Sequence, residues 1–92
     1  MKSNKSSTTT SPLRIVVGHR GFVWIGNVTE TGDKVTITNA RNIRRWGTTQ
    51  GLGQLVNGPT QETKLDPVGV VRLHRFGVIA TYDVNAEAWN GK

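Results

Sequence analysis

Between residues 22 and 40 two runs rich in β-branched and aromatic residues, FVWIGNVTE and KVTITNA, flank the turn sequence Thr31-Gly32-Asp33. Val35 and Ile37 alternate with Thr36 and Thr38, a period of two that suits a strand and not a helix. Two such runs joined by turn residues predict a β-hairpin. The hairpin sets the fold class, because the other β-branched runs then read as strands added to it. In its first arm Phe22, Trp24 and Val28 share one face and Val23 and Ile25 the other, so both faces are apolar where the strand begins. Trp24 is expected in the core.

The run LRIVV, Leu13 to Val17, predicts a short strand that ends in the turn GHRG, Gly18 to Gly21. After Asp66-Pro67, VGVVRLHRFGVIATYDV predicts two strands or one long bent strand hinged at Arg75 to Gly77. Between these regions a bend is expected at Asn39 to Arg41, after which Ile43 and Trp46 continue the core. Leu52, Leu55 and Val56 have the spacing of one helical face. They predict a short helix over Thr49 to Val56, capped by Thr48 or Thr49 and stopped at Asn57-Gly58-Pro59. Gly51 and Gly53 weaken it by up to about 1 kcal/mol each. NAEAW predicts a terminal helical turn capped by Asn85, with Trp89 covering a sheet edge or meeting another subunit. The fold class is therefore mostly β: a small barrel or strongly curved antiparallel sheet of about five strands with a short helical insertion.

With 92 residues this is one small domain with a modest core. Residues 1–12 read as a flexible Ser/Thr-rich arm and residues 13–92 as a single β domain. The first eleven residues, MKSNKSSTTTS, contain no apolar run, so neither a signal peptide nor a membrane segment is expected there. Cysteine is absent, which leaves no disulfide or thiolate site. Oligomerisation is the remaining way for so small a domain to bury more apolar surface, so a homo-oligomer is expected.

Catalytic chemistry finds little to work with. Serine occurs only at Ser3, Ser6, Ser7 and Ser11, outside the folded body, and with no cysteine the usual nucleophiles are missing. His19 and His74 stand far apart, without metal-ligand spacing. Asp33, Asp66 and Asp83 fall where turns or strand ends are expected, and nothing recommends a carboxylate pair. The expectation is a non-enzyme without cofactor or metal.

Charge points elsewhere. Twelve Lys and Arg against six Asp and Glu give a formal net charge of +6, a field that draws anions at moderate salt. The segment from residue 40 to 60, ARNIRRWGTTQGLGQLVNGPT, holds three arginines, a tryptophan and four glycines in twenty-one residues, and no acidic residue. Guanidinium groups fork onto phosphate oxygens, and a neighbouring indole can stack on a base. Arg41, Arg44, Arg45 and Trp46 are thus candidate ligand-binding residues. Arg20, Arg72 and Arg75 would join them if strands from both ends of the chain paired side by side. The run from Gly47 to Gly53 lacks the Lys and Ser/Thr of a nucleotide-hydrolysing loop, since Leu52 and Gly53 follow its second glycine. Its backbone can still present amides to an anion, which adds Thr48, Gly51 and Gly53. The competing reading makes Trp46 core, the arginines a solvated rim and the glycines a tight loop. The anion reading requires guanidinium groups left unpaired by the chain's own carboxylates.

GFVWIGNVTETGDKVTITNARNI, Gly21 to Ile43, resembles the bent strands of Sm-like RNA-binding barrels. Three further blocks, VTITNARNIRRW, LGQLVNGPT and KLDPVGVVRLHRFGVI, resemble in order and spacing a family of small proteins carried by tailed bacteriophages and prophages. That likeness spans most of residues 15 to 89. Aromatic residues often stand in the family where Arg44 and Arg45 stand here, so this chain is the more basic. The resemblance implies a phage product acting in the bacterial host cytoplasm or in the virion, and supplies no catalytic residue. Two functions are then expected to compete. One is an oligomeric protein capturing nucleic acid or a nucleotide; the other is a virion accessory protein docking on a phage capsid or tail lattice by its N-terminal arm.

Overall fold

A computed structural model describes residues 12–90; the expected N-terminal arm lies outside the described residues but for Pro12. Five strands are present: β1 Leu13–Gly18, β2 Val23–Thr31, β3 Lys34–Arg45, β4 Lys64–His74 and β5 Val78–Asp83. They form one antiparallel sheet in the order β4-β3-β2-β1-β5. The hairpin joins Thr31 to Lys34 across Gly32, which takes the left-handed φ of 58° that glycine adopts without cost.

The sheet is rolled. His74 faces Lys34, and Lys34 faces Thr31, at one end of β2; Val78 pairs with Gly18 beside the other end, near Val23. In a flat sheet those ends of β2 would stand roughly 26 Å apart. The link from His74 to Val78 spans at most about 15 Å. The two edge strands are therefore brought together at the 3₁₀ turn Arg75–Gly77. The packing agrees: one buried cluster, Val16, Val28, Val35, Ile37 and Ala40, is joined by Trp24, Val71, Leu73 and Val78, and so draws on all five strands. This is the inside of the roll.

The opposite face of the sheet is covered from outside. Ile15, Val23, Ile25 and Ile43 are buried there under Leu52, Leu55 and Trp89. Leu52 and Leu55 belong to a 3₁₀ segment, Leu52–Asn57, where an α-helix over Thr49 to Val56 was expected. Neither Thr48 nor Thr49 caps it. Gly51 is the N-cap residue at φ 86°, and Gln54 Oε1 instead gathers the amides of Thr49 (3.0 Å) and Gln50 (2.9 Å). With two glycines before Gln54 the segment winds tightly, keeping its apolar pair inward without a full α-turn. The short helix α1, Ala86–Trp89, is capped by the Asn85 side chain onto Glu87 N (3.2 Å). Trp89 is core and not a sheet-edge cover; its Nε1 donates to the Leu55 carbonyl (2.9 Å).

Two further expectations change. The bend expected at Asn39 to Arg41 is a pair of facing bulges, one on a continuous β3 and one on β4. Register slips on both sides of Ala40, with Asn39 at φ 52° and Gly69 opposite at φ 84°. Trp46 does not continue the core with buried Ile43: it follows the last residue of β3 and is 41% exposed. Arg75–Gly77 is the expected hinge, separating two strands rather than bending one.

Candidate functional site

Arg44 and Arg45 end β3, where β4 begins alongside them: Arg45 faces Lys64 and Asn42 faces Asp66. That register decides their partners. Arg44 Nε donates to Asp66 Oδ2 at 2.8 Å, and Arg45 Nη2 stands 3.7 Å from Glu62 Oε1. Arg41 sits over the Trp89 ring, its guanidinium carbon 5.8 Å from the centroid, and it too is engaged within the chain. The expectation of three unpaired guanidinium groups therefore fails. Two carboxylates that the sequence places 17 and 22 residues away neutralise Arg45 and Arg44.

The glycine loop is similarly spent. Thr49 and Gln50 amides are taken by Gln54, and Thr60 Oγ1 closes the base of the loop by donating to the Gly47 carbonyl (2.6 Å). Gly47 is wedged against Glu62 and Thr63, with no room for a side chain. Gly51 and Gly53 are exposed with open space around them, and Thr48 is half-buried. Trp46 is accessible, and its carbonyl accepts from Thr63 Oγ1 (2.7 Å). Arg41, Arg44, Arg45, Trp46, Thr48, Gly51 and Gly53 thus lie along the end of β3 and the loop that follows it. They form a self-satisfied loop and strand end rather than an open anion cradle.

Arg72 and Arg75 do not join this group. They sit at the other end of the β3–β4 ribbon, where Lys34 faces His74 and Thr36 faces Arg72. Side chains of alternate residues share a face, so Lys34, Arg72 and His74 stand together around a small hollow of about 240 Å³. The Arg75 amide donates to the Asp33 carbonyl (2.8 Å), which holds the 3₁₀ turn against the hairpin tip. Phe76 is 73% exposed. Its ring lies 5.0 Å from His74 and 5.4 Å from the Arg75 guanidinium carbon. Antiparallel pairing of Gly18 with Val78 sends the turn His19–Gly21 out of the sheet at the same corner, carrying Arg20. Phe22, stacked on Trp24 with centroids 6.0 Å apart, is exposed there as well.

Charge at this corner is unbalanced. Among the described residues, none of the ion pairs includes Lys34, Arg72, Arg75 or Arg20. Asp33 stands beside Lys34 at the hairpin tip, and its carbonyl accepts from the Arg75 amide. Glu30 points to the alternate face of β2, where Arg14 stands 3.7 Å away. Lys34 and Phe76 were not among the expected site residues, and His74 was weighed only as a metal ligand. The available signal was LHRFG itself, an aromatic residue directly after two basic ones in a turn too short to bury it.

No group of three His, Asp or Glu residues suited to a metal ion occurs among the described residues, and no helix among them is long and apolar enough to cross a membrane. No family model matches the chain and no curated protein is similar to it. The likenesses to phage proteins and to Sm-like barrels rest on the residues quoted above.

Proposed function

We propose that this protein is a non-catalytic binding module that captures a phosphate-bearing chain, single-stranded nucleic acid, at the corner formed by Lys34, Arg72, Arg75 and Phe76. The observation that carries the reading is the coincidence of unpaired cations with an accessible aromatic ring. Phosphates supply most of the affinity of nucleic-acid complexes and need cations not already neutralised. An exposed ring supplies a stacking platform that only an unstacked base can use. A duplex offers no such base, which favours a single strand. The likeness of Gly21 to Ile43 to Sm-like RNA-binding barrels points the same way, and the phage resemblance is the ground for proposing a bacterial host as the setting.

The test is fluorescence anisotropy with a labelled single strand of about 12 nucleotides, the length one small β module covers. Three phosphate contacts predict that log K falls with log salt at a slope of about −2. Arg72→Ala with Arg75→Ala should weaken binding at least about ten-fold at low salt. Phe76→Ala should cost about 1–3 kcal/mol. Arg44→Ala with Arg45→Ala should leave affinity nearly unchanged, because those groups are already paired. Binding that ignores salt, or that is lost in the Arg44/Arg45 variant and kept in the Arg72/Arg75 variant, would overturn the assignment.

A further inference from the structure

Beside Phe76, the turn between β1 and β2 presents a further cation and a further ring. The Gly18 amide donates to the Phe22 carbonyl (2.8 Å) and the Phe22 amide to the His19 carbonyl (3.3 Å), which ties the turn at its base. Arg20 and Gly21 between them are both left-handed, at φ 61° and 76°. Tight hairpin turns that need two such residues favour Asn-Gly or Asp-Gly. Arginine at the first position carries a steric penalty that asparagine would largely avoid, and residues held in this way cluster at sites where a ligand is met. Arg20 is exposed and, among the described residues, belongs to no ion pair.

Phe22 is prepared as a platform. One face of its ring packs on Trp24, with centroids 6.0 Å apart and planes within 14° of parallel, and Trp24 is itself packed against the inner cluster of the roll. The ring is thereby held in place while 56% of the residue stays exposed. A side chain fixed before binding loses little rotamer freedom when a base settles on it. The stack also adjoins the 3₁₀ turn that carries Phe76. A Cβ on Gly18 would stand 2.8 Å from the Trp24 ring and 3.5 Å from the Gly77 carbonyl oxygen, so ring and turn meet across the bare backbone of Gly18. Arg20 with Phe22 and Arg75 with Phe76 thus place the same pair of groups, an arginine and an accessible ring, side by side.

We propose that Arg20 and Phe22 form a second nucleotide subsite of the corner, so that the site takes two neighbouring unpaired bases, one on Phe76 and one on Phe22, with Arg20 on a phosphate of the second nucleotide. This subsite rests on the reading of the corner as a single-strand site and extends it across the β1–β2 turn. Guanidinium groups fork onto phosphate oxygens. Stacking on rings requires bases that are unpaired but sets no base identity, because every base has a π-face. The ligand is therefore an unstructured stretch of strand, not a mononucleotide and not a duplex.

Anisotropy of the full chain with a labelled thymidine strand of about 12 nucleotides separates the subsite from the rest of the corner. Lys34, Arg72 and Arg75 alone account for a slope of log K against log salt of about −2; Arg20 as a fourth contact brings it to about −3. Arg20→Asn removes the charge with a residue that accepts the left-handed conformation, so the turn is kept and the slope should return to about −2. Phe22→Leu keeps an apolar cover on Trp24 but removes the flat ring, and should weaken binding about five-fold or more. Added to Phe76→Ala, its effect should multiply, as for rings that hold separate bases. A combined loss no greater than the larger single one would mean that both rings grip one base, which overturns the two-base site. Affinity and slope unchanged in Arg20→Asn and Phe22→Leu, with losses confined to Phe76→Ala and to Arg72→Ala with Arg75→Ala, would overturn the subsite and leave the corner standing. Absence of binding by the unaltered protein would remove both. Light scattering on each variant completes the test: if Phe22→Leu lowers affinity only by dissociating an oligomer, the ring is a contact between copies and the subsite is overturned.

Discussion

At the scale of single residues, the roll of the sheet depends on an absent side chain. Gly26 lies in β2 at the slip between Ile25 and Asn27, facing the interior of the roll. A Cβ there would stand 2.5 Å from Ile37 Cγ2 and 2.8 Å from the Thr38 carbonyl oxygen. The second contact is backbone and cannot turn aside, so Gly26→Ala should destabilise the fold by at least about 1–3 kcal/mol. Gly53→Ala provides the opposite case. No atom lies within 4 Å of a Cβ there, and the added side chain restricts only the unfolded chain, a gain of about 0.4–1 kcal/mol. Urea unfolding of the two variants should move the midpoint in opposite directions. Equal midpoints would mean that β2 and β3 do not approach as closely as the structure shows.

Among the elements, α1 owes its existence to tertiary contact. Four residues are too few to be stable as an isolated helix, and Ala86–Trp89 is fixed by Trp89 Nε1 on the Leu55 carbonyl and by Asn85 N on the Val56 carbonyl (2.8 Å). The Leu55 carbonyl also accepts from Gly58 N (3.0 Å), so Trp89→Phe leaves it one donor and should cost only about 1 kcal/mol. Trp89→Ala empties part of the outer core and should cost about 3–5 kcal/mol. Thermal melts of both variants measure the difference; a similar loss in each would make the hydrogen bond, not the packed ring, the anchor.

What could be read in advance divides along the same lines. The strands and the hairpin were legible because alternation is a local signal, and Asn85 was legible as a cap because capping is local. The 3₁₀ form of Leu52–Asn57 was not, since Leu52 and Leu55 point inward in either helix type. The bulges around Ala40 were hidden for a different reason. A slip in register belongs to two strands, and β3 carries no mark of it beyond Asn39. The same limit misled the reading of the site. Arg44 meets Asp66 and Arg45 nears Glu62 only because β4 returns alongside β3, whereas Lys34, Arg72 and Arg75 come together from the hairpin, β4 and a turn. Composition located the positive charge of the chain; strand register determined which part of it is left unpaired.

For the molecule as a whole, rolling the sheet brings its edges together at one corner but leaves both exposed along their length. Among the described residues neither β4 nor β5 has a second neighbour. Val68 and Val70 on β4 are each 47% exposed and Ile79 on β5 is 64% exposed. Open edges bearing apolar residues invite strand addition. Charge chooses the pairing: β4 displays Lys64, Arg72 and His74, its one acid Asp66 being paired with Arg44, so two β4 edges repel, while β5 carries no cation and displays Asp83, whose side chain is 88% exposed although it is paired with Arg14 at 2.9 Å. Addition of β4 from one copy to β5 of the next is therefore favoured, a head-to-tail contact that closes into a ring or runs on as a filament. Native mass spectrometry at micromolar protein should show an oligomer. A lysine on an edge blocks strand addition, so Val70→Lys and Ile79→Lys should each give monomers. Each variant keeps one sound edge, and the two edges differ, so mixing them should restore a heterodimer and nothing larger. Contact between like edges would give a different result, with only one of the two substitutions having any effect, and a monomeric wild type would remove the head-to-tail arrangement altogether.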